Sequence, residues 1–373
     1  MSLALWQSEE DKIITNGGEK SPPLFHVKQW RNDMKLYQDS GYVNMGAIFD
    51  LGLPFNFVVG GRGTGKTYTA LKECVERGDV FFFLRRTQSQ TDLVSKPEFS
   101  PFKKLNADLG WNVKTAPISK NNAAFFKADA DGQMTGSPIG YTGALSTMAS
   151  IRGFDSTEVV RILYDEFIPE LHEKPIKNEG AAFLNAYETI NRNRELQGQN
   201  PVQVVCMANA NTMSNALFLE LGLVRVADKM LRDGREIFID KKRGIGIFSL
   251  NRSPISDRKS HTVLYNLTSG SDFEKMAIKN DFSERSYRNV RNYPLAEFSP
   301  VVFVGEIAIY RHKSKNFLYV SAHRTGTAPE YGSSEKELIR FRRNYGFIFD
   351  ALYRGEIVYQ EIFCEMLLTK YIS

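Results

Sequence analysis

Apolar residues in this chain gather into short, nearly unbroken runs that end abruptly in glycines or charged residues. Phe57–Val59, Val80–Leu84, Val159–Tyr164 and Pro201–Ala210 are the clearest. Such runs predict strands covered on both faces, as in a mostly parallel sheet flanked by helices. Helical stretches separate them. Thr67–Gly78 follows the first run, Gly180–Glu195 carries Phe183, Leu184, Tyr187 and Ile190 on one face, and Asn215–Leu223 follows the fourth. Ala123–Gly136 reads as a hairpin turning at Asp131-Gly132, and Arg235–Leu250 as two strands around a Lys-Arg-Gly turn. Ser253–Asn266 is loop-like, and Ser271–Asn280 reads as a short helix with Ser271 as its N-cap. Three β segments between Val301 and Ala322 precede a mainly helical stretch, Ser333–Ile372. Phe25–Gln38 reads as an amphipathic helix with an imperfect stripe of Phe25, Trp30, Met34 and Leu36.

The first run leads into the chemistry. Asn56–Thr67 (NFVVGGRGTGKT) has Gly60, four residues, then Gly65, Lys66 and Thr67, the spacing of a phosphate-binding loop. Glycines let backbone N–H groups approach phosphate oxygens, and the helix that follows points its positive end at the same anion. Lys66 can neutralise β- and γ-phosphates, and Thr67 can ligate Mg²⁺. Gly60, Gly61, Arg62, Gly63, Thr64, Gly65, Lys66 and Thr67 are therefore the expected nucleotide cradle.

The third run ends in paired acids, Asp165 and Glu166. A strand-end carboxylate suits the magnesium of such a site, which assigns Asp165 with Thr67 to the metal. Glu166 is then placed to orient and deprotonate an attacking water. Arg85 and Arg86 close the second run, at a strand end where open α/β sheets build sites. Arg192 and Arg194 crowd the end of the Gly180–Glu195 helix. From position alone they oppose the helix dipole, and the other role open to them is that of arginine fingers in an adjacent subunit. The fourth run ends at Asn209, whose amide can both donate and accept and so can sense a γ-phosphate.

Composition narrows the setting. At 373 residues two domains are the natural expectation. A hydrophobic content of 42% is ample for their cores. No apolar run approaches the ~20 residues of a spanning helix, and acidic residues come too early for a signal peptide. Three distant cysteines, Cys74, Cys206 and Cys364, indicate neither a disulfide framework nor a zinc site, so the chain reads as soluble and intracellular. The net charge of +5 is modest, but Arg225–Lys259 alone holds ten Lys/Arg against five Asp/Glu. On charge, that stretch is either a solvated linker or a nucleic-acid contact.

Taken in order, NFVVGGRGTGKT, FFFLRR, ILYDEF, INRNRE and VVCMANA resemble the DNA-packaging ATPases of small tailed phages of the phi-twenty-nine group, compact relatives of the large terminase subunit. The resemblance covers most of residues 50–225 and is coarse after about 285. It implies a P-loop NTPase of the additional-strand, catalytic-glutamate type, a small linker domain, and a smaller α/β domain like RNase H nucleases. It also implies an ATP- and Mg²⁺-dependent homo-oligomeric ring, a pentamer, that drives double-stranded DNA through the portal into a preformed capsid. A packaging RNA is a further partner within this group, and no membrane is involved. The place of action would be the cytoplasm of the infected host cell, transiently at the portal vertex. Carried over by position, Arg192 matches the trans-acting finger with Arg194 its close rival, Asn209 falls in the coupling motif, and Arg62 matches an arginine that contacts nucleotide in cis.

The expected division is an N-terminal extension over 1–45, an ATPase domain over 46–245, a linker or hinge over 246–285 and a C-terminal domain over 286–373. Two-metal cleavage needs several converging carboxylates. The β segments from Val301 to Ala322 hold only Glu306, and Asp350 is the only Asp after Asp281, which points to a vestigial nuclease that binds nucleic acid. Two other readings share the P-loop chemistry. One is a DNA helicase or DNA-dependent ATPase unconnected with capsids. The other is a small-molecule kinase, against which Glu166 argues.

Overall fold

Six apolar strands lying side by side in one direction form the centre of the structure, a computed structural model. It describes residues 34–373 apart from 152–153, 170–172, 175, 210–214, 252, 256–257, 259–260, 269–270 and 272–287. The expected helix at 271–280 and most of that at 25–38 lie outside the described residues. The described end of the latter is not helical: Tyr37 forms an antiparallel bridge with Val43.

Among the described residues the first sheet has nine strands, in the order β3-β4-β5-β2-β6-β7-β1-β9-β8. These are β1 (Phe55–Gly60), β2 (Phe81–Arg85), β3 (Val113–Pro117), β4 (Ala123–Ala128), β5 (Met134–Ala144), β6 (Arg161–Asp165), β7 (Gln203–Asn209), β8 (Ile237–Asp240) and β9 (Ile245–Leu250). β5, β2, β6, β7, β1 and β9 run parallel, while antiparallel β3–β4 and β8 close the two ends. The expected hairpins at 123–136 and 235–250 are β4–β5 and β8–β9. Because side chains alternate along a strand, each apolar run feeds both faces. Phe57, Val59, Phe82, Leu84, Ile162, Tyr164, Val204 and Cys206 join one cluster; Val58, Phe81, Phe83, Leu163, Val205 and Met207 join the other.

Helices cover these faces. They are α1 (Met45–Asp50), α2 (Lys66–Arg77), α3 (Gln88–Val94), α4 (Lys103–Leu109), α5 (Glu179–Asn191), α6 (Ala216–Glu220) and α7 (Val224–Arg232). Leu36, Val43 and Met45 are buried in the second cluster, so the described end of the expected N-terminal extension packs onto the sheet. At the other boundary, β9 pairs with β1 from Phe55↔Ile245 to Gly60↔Leu250. The sheet therefore runs five residues past the expected limit at 245, because Ile245, Ile247, Phe248 and Leu250 are the core residues of that strand.

Residues 253–266, expected as loop, contain the start of a short helix, α8 (Val263–Leu267). A second sheet follows, of order β13-β10-β11-β12-β14. Its strands are β10 (Phe298–Val304), β11 (Ile307–His312), β12 (Leu318–Ser321), β13 (Glu330–Tyr331) and β14 (Ile357–Tyr359). The first three form the antiparallel meander expected from the sequence, and β13 and β14 add parallel to β10 and β12. Helices α9 (Glu335–Asn344), α10 (Phe347–Tyr353) and α11 (Ile362–Ile372) supply the expected helical end, interrupted by β14. Buried residues of both sheets fall in one continuous cluster. At this junction Arg225 of α7 pairs with Glu361 at 2.6 Å and lies 4.2 Å from the Phe363 ring centroid, and Lys370 reaches Glu220 at 3.3 Å.

One polar group belongs to the core itself. Arg86 is fully buried and pairs with Glu179 at 2.6 Å and with Glu173 at 2.7 Å. Burial alone would lower its pKa; the hydrogen bond and charge of Glu179, with Tyr164 and Glu173 nearby, more than offset this and raise it. Breaking a buried pair from one side strands the remaining charge. Arg86→Ala is expected to destabilise the protein by about 3–5 kcal/mol, read as a lowered denaturation midpoint.

Candidate active site

Three strand ends meet at one edge of the first sheet, because parallel strands deliver their C-terminal ends to the same side. β1 brings the phosphate loop, β6 brings Asp165 and Glu166, and β7 brings Asn209. Gly63 and Gly65 have φ of 79° and 81°. These are left-handed values that a side chain resists, and Gly65 is the N-cap of α2. A cavity of about 200 Å³ is lined by Gly63–Tyr68, Asp165, Glu166, Ala208 and Asn209.

Lys66 is folded into its own loop. Its ammonium donates to the carbonyls of Gly60 and Gly61 at 2.9 Å each, to Thr64 Oγ1 at 3.3 Å and to Asn209 Oδ1 at 3.4 Å. Thr67 Oγ1 donates to Asp165 Oδ1 at 3.0 Å. The phosphate loop is thus bonded to Asp165 and to Asn209, and Glu166 lines the same cavity. Glu166 adopts a φ of 57°, an uncommon value for a non-glycine residue. Its side chain remains 42% exposed beside the buried strand.

By sequence, Arg85 and Arg86 occupy one and the same strand end, yet they diverge. Arg85 faces the site, donating from Nη1 to Asp165 Oδ2 at 2.7 Å and from Nη2 to Glu166 Oε2 at 2.6 Å. Successive residues of a strand face opposite ways, so Arg86 instead enters the core. The signal for Arg85 lay in its position: β2 pairs with β6 up to Leu84↔Tyr164, which brings the next residue of each strand together.

Arg192 and Arg194 are outside the cavity lining. The helix expected to run to 195 ends at Asn191, so neither arginine occupies its last turn. Arg192 is the C-cap at a φ of 52° and donates to Phe154 O at 2.5 Å; glycine is the usual occupant of such a position. Arg194 donates to the carbonyls of Ser156 and Thr157 at 3.0 and 2.6 Å, and burial lowers its pKa. Arg62 is exposed at the tip of the loop.

The donor set fits a hard cation and a polyphosphate. A hydroxyl and a carboxylate oxygen converge at Thr67–Asp165, and an ammonium and left-handed glycines lie alongside. β7 separates the phosphate-loop strand β1 from the acid-bearing strand β6. That inserted strand, with Glu166 directly after Asp165, defines a P-loop NTPase of the additional-strand, catalytic-glutamate class. Within this class the chain belongs to the podovirus DNA encapsidation protein (Gp16) family, whose model matches residues 38–328.

Two relatives are the DNA packaging proteins of Bacillus phage B103 (28% identical) and Bacillus phage phi29 (27% identical), each over 232 residues. The matched region is 61% of this chain and 64% and 61% of those proteins, so the chain spans under two thirds of their length. Among solved structures the fold resembles the Phi-28 gp11 DNA packaging motor, with a TM-score of 0.60 and 18% identity over 88% of this chain and 96% of that one. It also resembles a chain of the bacteriophage Phi-29 viral genome packaging motor assembly, with a TM-score of 0.57 and 18% identity over 88% and 99%.

Thr67→Val keeps the shape of the loop while removing the hydroxyl beside Asp165. It is expected to weaken magnesium-dependent nucleotide affinity about 10- to 100-fold and leave the affinity in EDTA unchanged, as read by calorimetry.

Proposed function

We propose that this protein is the ATP-hydrolysing subunit of a ring motor that drives double-stranded viral DNA through a portal into a preformed capsid. The observation that carries the reading is the meeting of Thr67, Asp165 and Glu166 around one cavity, with Arg85 bonded to both acids, in a chain of the DNA encapsidation family. Phosphoryl transfer is catalysed mainly by positioning and charge stabilisation. The backbone of Gly63–Thr67 and the Lys66 ammonium would hold the phosphates, and Thr67 with Asp165 would hold Mg²⁺. When bound, the metal would supply charge neutralisation for the phosphates. Glu166 orients a water and accepts its proton; Asn209, already next to Lys66, reads the terminal phosphate.

Arg192 or Arg194 would complete the site of a neighbouring subunit in a homo-oligomeric ring, a pentamer. Both guanidiniums rest on carbonyls of residues 154–157 here, so reaching a neighbour requires exchanging those bonds. The working division is an ATPase domain over 36–250, a connecting segment, and a C-terminal nucleic-acid-binding domain from about 290 without nuclease activity. DNA gripping would rest on phosphate contacts, with strong salt dependence and little sequence preference. A packaging RNA at the portal vertex, within the host cytoplasm, belongs to the same reading.

Phosphate release should rise when double-stranded DNA and portal-bearing empty capsids are added together. Unwinding of a forked duplex without capsids would instead favour a helicase. Glu166→Gln should retain ATP binding and lose hydrolysis by about 10²- to 10⁴-fold. Mixed into active subunits, it should depress packaging more steeply than its fraction; a proportional decline overturns the coordinated ring. Arg192→Ala should bind ATP normally and lose about 10³-fold or more in oligomer turnover. Unchanged turnover in that variant, with the loss in Arg194→Ala, transfers the finger to Arg194.

A further inference from the structure

Residues 192–201 form an excursion between the end of α5 and the start of β7, and both candidate finger arginines lie on it. Surface connections of this kind are ordinarily the more mobile parts of a fold. Here a single side chain ties the base. Asn191, the last residue of α5, is only 2% exposed. Its Oδ1 accepts the N–H of Val202 at 2.8 Å, where the chain returns. Its Nδ2 donates to Glu195 Oε2 at 2.9 Å, inside the excursion. One amide thus spends its acceptor on the returning chain and a donor on the turn.

Beyond Asn191 the turn is bonded to itself. Gln197 N–H donates to Asn193 O at 3.1 Å and to Arg194 O at 2.9 Å, and Gln199 N–H donates to Arg194 O at 2.9 Å. Glu195–Gln197 make one 3₁₀ turn. Arg192 N–H closes the helix end on Glu188 O at 2.9 Å. On the other side, Ser156 Oγ donates to Ile190 O at 3.0 Å. That bond fastens the segment on which both guanidiniums rest to the end of the same helix. The turn and the resting place of its arginines are therefore both anchored at Ile190–Asn191.

An arginine that must enter another subunit's cavity gains from a backbone already in place, because order present before the encounter need not be created during it. Misplacing a catalytic group by about 1 Å can cost about 10²-fold in rate. Without the Asn191 amide, the excursion would lose its tie to the returning chain, and the buried N–H of Val202 would lose its acceptor. We propose that Asn191 is a positioning residue for the trans-acting arginine. Its amide fixes the base of the turn, so only a guanidinium has to move when a neighbouring site closes around it. The inference rests on the trans-finger reading above and adds the residue that aims the finger.

Asn191→Ala should bind ATP with unchanged affinity, read by calorimetry, and hydrolyse it about 10- to 100-fold more slowly in single-turnover assays of the oligomer. Glu195 is exposed, so its variants do not endanger folding. Glu195→Ala should slow hydrolysis about 2- to 10-fold, and Glu195→Gln, which keeps an acceptor, should retain the rate. The deciding measurement mixes Asn191→Ala subunits with Glu166→Gln subunits, whose own sites are inactive but whose turns are intact. Hydrolysis per Asn191→Ala subunit should rise toward the unmodified rate as the Glu166→Gln fraction grows. A defect confined to the subunit's own fold or site would show no recovery, which overturns the proposal. Unmodified rates in both Asn191→Ala and Glu195→Ala overturn it as well. Arg192→Ala and Arg194→Ala are the reference: if neither recovers in the same mixture, the trans finger itself fails, an outcome distinct from the failure of Asn191 alone.

Discussion

Two carboxylates on consecutive residues, one almost wholly enclosed, repel each other unless a cation stands between them. Arg85 is that cation in the described site, giving one arm of its fork to Asp165 and the other to Glu166. A guanidinium is suited to the task because its donors lie in one rigid plane and keep their charge at any physiological pH. The arrangement depends on backbone pairing rather than on side-chain reach. β2 and β6 lie parallel and in register to their last paired residues, so the arginine and the acids leave the sheet together. The hydroxyl of Thr67 takes the other Asp165 oxygen, which links this polar group to the phosphate loop across β7.

Apolar contact, by contrast, governs how the two sheets are joined. Buried residues of β10–β12 and α11 continue the cluster that covers one face of the first sheet. The two sheets therefore share apolar surface, and the ion pairs Arg225–Glu361 and Lys370–Glu220 lie on the rim of that contact. Exposed pairs of this kind contribute little, about 0–1 kcal/mol each, so the shared core carries the association.

Much of the first sheet was legible because each central strand is an apolar run bounded by glycine or charge, and the cradle because its glycines, Lys66 and Thr67 are contiguous. What could not be read has identifiable causes. Helix α7 was hidden inside a basic stretch: Arg225, Asp228, Lys229 and Arg232 dominate its composition, while Val224, Ala227 and Met230 form its buried side. The helix carrying the two finger candidates was expected to continue to 195, since Asn193 and Glu195 do not break helical pattern. It stops at Asn191, whose side chain bonds Glu195 and the backbone of Val202 instead. The opposite fates of Arg85 and Arg86 required the strand's last residues to be known, and Tyr42 carries no motif; only folding brings it onto Gly65.

Helix α5 gains a mechanical meaning from what holds its two ends. Its first residue, Glu179, is clamped by Arg86, the immediate neighbour of the arginine that grips the acid pair. Its far end gives way to Arg192. A helix rises by a fixed increment per residue, so its thirteen residues make a stiff strut roughly 20 Å long. The backbone beside the acid pair and the turn that carries Arg192 and Arg194 therefore share one rigid part.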